Sequence, residues 1–77
     1  MTYRKGDKIT IKCNGQSVPG WVELASDNQV SLLVCWDVMQ HEVMIAGHVG
    51  AMALLRHPDG VYRSIHSGDR VDLEVAQ

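Results

Sequence analysis

Lys8-Ile9-Thr10-Ile11-Lys12-Cys13 decides the fold when it is set beside Val71-Asp72-Leu73-Glu74-Val75. In the first stretch Ile9, Ile11 and Cys13 share one face and Lys8, Thr10 and Lys12 the other, the period-two signature of a half-buried strand. The second stretch alternates more cleanly still, with Asp72 and Glu74 on its polar side. Two such strands can pair at a barrel seam, where Lys8 and Lys12 oppose Asp72 and Glu74; opposite charges across a strand pair contribute about 0.2–1 kcal/mol each.

Between them, turn signals recur every eight to twelve residues. Asn14-Gly15 is a strong turn dipeptide. Val18-Pro19-Gly20 then interrupts, because proline brings no amide hydrogen to a ladder, so 14–20 is expected to be one loop. A second strand is expected from Trp21 to Ser26, with Val22 and Leu24 on one face, and Asp27-Asn28-Gln29 turns the chain into a third. In 37–47 the signals conflict. Asp37 and Gln40 have capping-box spacing, and Gly47 suits the left-handed residue that ends a helix. Val38, Val43 and Ile45 are stiff in helices, however, and no single apolar stripe forms, so a loop or irregular strand is the expectation and a helical turn its alternative. A strand over 48–55 follows, with Gly50, Ala51 and Ala53 small enough for a bend. Two more strands, 61–66 and 71–75, are separated by the turn 67–70.

The chain has 77 residues, a formal charge of -2 and 45% apolar residues. That is the composition of one small globular domain over 1–77, too short for a second core. The reading is therefore all-β: a small closed or partly open antiparallel β-barrel of five to six strands. Closure is favoured because a sheet this small cannot leave two edges open without inviting aggregation. Over about the first 36 residues, the strand-loop-strand opening with Gly20-Trp21-Val22 resembles the SH3-like barrel class in outline. The Ala-Leu-Tyr-Asp-Tyr signature of peptide-binding SH3 domains is absent. The Val-Gln-Ile-Tyr-Pro motif of the plasmid-borne small-barrel dihydrofolate reductase, similar in length, has no match either.

No motif for catalysis, metal or cofactor stands out, so catalytic residues are unassigned and no metal or cofactor is expected. His41, His48, His57 and His66 fall at no i, i+2 or i, i+4 spacing, so a metal site would have to be assembled from separate elements. Cys13 and Cys35 lie outside any Cys-x-x-Cys spacing and read as small apolar residues. The longest uncharged run, 43–55, is too short to span a bilayer, and no apolar segment follows the charged amino end. A soluble, cytoplasmic setting with no membrane partner is the expectation. Arg4, Lys5, Lys8 and Lys12 beside Tyr3 are locally basic, but the acidic balance argues against nucleic acid.

The third strand, 30–36, is different. Val30, Leu32, Val34 and Trp36 alternate with Ser31, Leu33 and Cys35, so both faces are apolar. One face goes to the core and the other needs a cover, as does Trp21 on the face opposite Val22 and Leu24. The expectation is a non-enzymatic interaction module, a homodimer that buries Trp21, Leu33, Cys35 and Trp36 and presents a surface to a protein partner. The segment 37–47 folding over that face within one chain is the competing arrangement. The alternative function is an oligomeric enzyme or ligand-binding protein whose site forms between subunits from His41, His48, Tyr62 or His66.

Overall fold

The computed structural model describes residues 2–76. Eight strands form: β1 (Lys8–Cys13), β2 (Gln16–Ala25), β3 (Ser31–Cys35), β4 (Met44–Ile45), β5 (His48–Val49), β6 (Ala51–Arg56), β7 (Tyr62–Ser64) and β8 (Arg70–Val75). Six close into an antiparallel barrel in the order β1-β2-β3-β6-β7-β8, and β4-β5 is a separate two-stranded ribbon. No helix occurs among the described residues.

The seam is the pairing of β1 with β8 in the register Ile9↔Val75, Thr10↔Glu74, Ile11↔Leu73 and Lys12↔Asp72. Lys12 Nζ reaches diagonally to Glu74 Oε1 at 2.6 Å, an ion pair on the outer surface. On the inner side Ile9, Ile11 and Cys13 are buried with Val18 and Val22 of β2, Leu32 and Val34 of β3, Met52 and Leu54 of β6 and Val71 of β8. Full burial of an aliphatic side chain of this size stabilises by about 1.5–3 kcal/mol, so the inward half of each strand holds the barrel together.

The expected loop over 14–20 is instead a hairpin and the start of a strand. Asn14 and Gly15, at φ 51° and 80°, form the tight turn, and β2 pairs with β1 from Cys13↔Gln16 onward. Pro19 is tolerated for a geometric reason. Hydrogen-bonded pairs alternate with non-bonded ones away from such a turn, so Pro19, opposite Thr10, directs its nitrogen away from β1. Among the described residues no other strand pairs with β2 there, because β3 joins it only at Trp21↔Cys35. Gly20 follows where the backbones converge: a Cβ at that position would lie 2.2 Å from the Cys35 carbonyl oxygen.

A second correction concerns Leu24. The register of β2 on β3 runs Trp21↔Cys35, Val22↔Val34, then Leu24↔Leu33, so a bulge at Glu23 inserts one residue. Val22 therefore faces the core while Leu24 is turned outward and is 57% exposed.

The segment 37–47 contains no helix. Asp37 closes a single turn, its Oδ1 accepting from the Met39 amide at 2.9 Å and its carbonyl from the His41 amide at 2.9 Å. Gly47 does take a left-handed conformation, but with Ala46 (φ 82° and 49°) as the turn of the β4-β5 ribbon. The ribbon caps one end of the barrel with Ile45, which is fully buried. The expected strand over 48–55 is broken by Gly50, at φ 79°, into β5 and β6.

The amino-terminal segment is fastened by a device the sequence does not announce. The Gln29 side-chain amide accepts from the Tyr3 amide at 2.6 Å and donates to the Tyr3 carbonyl at 2.9 Å, imitating a strand partner. The Tyr62 hydroxyl donates to the Gln29 carbonyl, and the Tyr3 and Tyr62 rings meet edge to face at 6.1 Å.

Candidate functional site

Three strands of the barrel wall, β2, β3 and β6, carry apolar side chains on the side facing away from the core. Leu32 and Val34 point inward, so Leu33 and Cys35 between them point outward. The registers then set two cross-strand rows on this outer surface: Trp21, Cys35 and Ala51, and beside it Leu24, Leu33 and Ala53. Leu55 continues the β6 line, and Ile65 lies across from Ala53, donating its amide to the Ala53 carbonyl at 3.1 Å. Leu24 and Ile65, 57% and 58% exposed, stand most fully in solvent, whereas Trp21, Leu33, Cys35 and Ala53 are half-buried.

Polar groups border this face. Lys8 pairs with Trp21 at one margin and Arg63 with Leu55 at the other. The Trp21 indole Nε1 donates to Glu23 Oε2 at 2.8 Å, which satisfies the ring's one polar atom and leaves its apolar surface available. An apolar centre with a mixed-charge rim is the composition of protein interfaces. Cys35 belongs to the surface as an apolar group rather than a nucleophile: burial, and secondarily the charge of Glu23, push its thiol up from the ordinary cysteine range. Cys13 is held neutral in the same way, by burial first and then by Asp69 and Asp72.

The four residues expected at an interface do not all lie together. Trp21, Leu33 and Cys35 share this face. Trp36 does not: it is 2% exposed within the single chain, packed in the core with Ile45, and its Nε1 donates to the Val43 carbonyl at 3.3 Å. Its place follows from strand parity, since Trp36 alternates in phase with Leu32 and Val34. Leu24 and Ile65 are the members that sequence reasoning missed; only the bulge and the β6-β7 register reveal them. The segment 37–47 caps the barrel end through Ile45 and Val43, and Leu24 and Ile65 stay in solvent.

The residues considered for an intersubunit active site are dispersed. His41 lines an apolar groove of about 530 Å³ with Pro19, Trp21 and Lys8, next to the apolar face. Tyr62 lies in another groove, of about 700 Å³, with Tyr3, Arg56 and His57. Its hydroxyl is pushed up by burial, partly offset by Arg56. His48 and His66 do meet, their ring centroids 5.3 Å apart. Among the described residues no group of three or more His, Cys, Asp or Glu side chains is placed to hold a metal ion. No helix among them is long and apolar enough to cross a membrane.

A second apolar area lies on the capping segment, where Val38, Met39, Met44 and Val49 are exposed, Met39 at 87%. Methionine is unbranched and polarizable and adapts to irregular partner surfaces.

Together these features define a closed six-stranded antiparallel barrel with one apolar outer wall. Comparisons with protein-family models, curated proteins and solved structures return no match to this chain.

Proposed function

We propose that this chain is a non-enzymatic interaction module, an SH3-like barrel in outline. Two copies associate through the outer face of β2, β3 and β6, and the dimer presents the Val38, Met39, Met44 and Val49 crest to a protein partner. The observation that carries this reading is the row Leu24, Leu33, Ala53 and its neighbour Ile65. It spans strands on which an exposed sheet surface would alternate to polar residues. A two-fold dimer requires one self-complementary patch. The thiols of Cys13 and Cys35, both free, support a reducing, cytoplasmic setting.

Sedimentation equilibrium at micromolar concentration tests the association. The expected mass is twice the 8.5 kDa of the chain. Leu33→Asp is expected to return the monomer mass while keeping the β-sheet circular dichroism. A wild-type monomer removes the dimer, and an unfolded Leu33→Asp paired with a dimeric Leu24→Asp places the contact elsewhere.

The groove containing Trp21 and His41 favours a second reading, a ligand-binding protein whose site is completed at the edge of the dimer. Thermal shifts with a metabolite panel distinguish the two: a strong response lost in Trp21→Ala supports the ligand site.

A further inference from the structure

Sequence spacing keeps the histidines apart, but the fold brings two of them together from different elements. His48 lies on β5 in the capping ribbon, and His66 in the turn that follows β7. Their rings stand 5.3 Å apart, tilted by 42°. From this juxtaposition we propose that His48 and His66 form a two-histidine site for a borderline transition-metal ion of the Zn²⁺ or Cu²⁺ class.

Three features carry the assignment. First, His48 Nδ1 lies 3.0 Å from the Ala46 carbonyl oxygen. A carbonyl only accepts, so Nδ1 is the donor, and when the ring ligates a metal it is Nε2 that presents the lone pair, the arrangement in which a carbonyl behind the ring orients a metal-binding histidine. Second, the ring separation brings both imidazoles within reach of a shared ion. With metal–nitrogen bonds of about 2.0–2.1 Å each ring centre lies about 3.2 Å from the metal, and ligand angles from 90° to tetrahedral then place the two centres about 4.5–5.2 Å apart, so the observed 5.3 Å stands at the wide end of that range. The exposed His66 side chain can rotate to direct a nitrogen at the ion. Third, two imidazoles and no carboxylate select zinc, copper or nickel over calcium or magnesium, which take oxygen ligands.

With two protein ligands the remaining positions fall to water, so the site is open and exchangeable rather than a structural cage. Its effect on the fold is local. A bound ion fastens the β4-β5 ribbon, and with it Met44 and Val49 of the exposed crest, to the β7-β8 turn.

Isothermal calorimetry with Zn²⁺ on the full chain at pH 7.5 tests the site, with the β-sheet circular dichroism of every variant checked first. The expected result is one ion per chain, with affinity lowered at least about tenfold by His48→Ala and by His66→Gln. His57→Ala, which alters an exposed histidine in the other groove, is expected to bind as the wild type does. Because a protonated imidazole cannot ligate, binding is expected to weaken as the pH falls to about 5. His66→Gln alters an exposed turn residue, so it decides the matter even where His48→Ala fails to fold. No Zn²⁺ binding by the wild type, full affinity in His66→Gln, or an equal loss in His57→Ala would each overturn the proposal, leaving the two rings as a packing contact.

Discussion

The barrel has two outer walls built on the same period-two rule, and they end differently. Along the seam, β1 and β8 place Thr10, Lys12, Asp72 and Glu74 outward, with Lys12 paired to Glu74. Across the β2, β3 and β6 wall the corresponding positions are mostly apolar, Trp21, Leu24, Leu33, Cys35, Ala51, Ala53 and Leu55, with Ser31 opposite Leu55 the polar exception. The inner sides of both walls are equally apolar, so core formation does not distinguish them. Only the outer side does. A polar, ion-paired surface is adapted to water, and the apolar one with a charged rim is the basis of the proposed dimer.

The contrast is broken most severely by removing the seam. Deleting residues 71–77 takes away Val71 from the core and opens the edges of both β1 and β7, so the cooperative thermal transition is expected to vanish. A truncated chain that melts cooperatively would show that β8 is dispensable and that closure is not what holds the wall.

The two tryptophans sharpen the comparison at the next scale. Trp36→Ala empties a core position and is expected to lower the unfolding free energy by about 3–5 kcal/mol in urea titrations. Trp21→Ala is expected to change the stability of the monomer by no more than about 1 kcal/mol. Its effect is expected to fall on the proposed association instead, where loss of an interface tryptophan costs about 1 kcal/mol or more. Equal losses of monomer stability in the two variants would contradict the division between core and outer wall.

The smallest effect belongs to the ion pair on the seam. Both partners are largely exposed, so Lys12→Ala is expected to cost about 0.2–1 kcal/mol, and the difference from wild type to shrink in high salt.

The seam was legible because it rests on local alternation at both ends of the chain, and Asn14-Gly15 was legible as a turn. The expected interruption by Pro19 failed because the cost of proline depends on which edge of a strand has a neighbour. That is a tertiary fact. Leu24 was misplaced for a related reason: a bulge reverses the direction of every later side chain in its strand, and no residue type around Glu23 marks it. The apolar outer wall was visible at Trp21, Leu33 and Cys35 from the strand pattern. Trp36 belongs by its parity with Leu32 and Val34 to the core rather than to that wall. The His48 and His66 pair is created wholly by the closure of the ribbon against the barrel, so no spacing rule could have shown it.

The central claim, that one wall meets a second copy and the other meets water, is tested most directly by NMR with a soluble paramagnetic agent, which attenuates signals reached by solvent. At a concentration where the chain is associated, the methyl signals of Leu24, Leu33, Ala53 and Ile65 are predicted to be protected while that of Thr10 is attenuated. In Leu33→Asp, those of Leu24, Ala53 and Ile65 are predicted to become as accessible as Thr10. Attenuation of Leu24 and Ile65 in the wild type to the same degree as Thr10 would contradict the account.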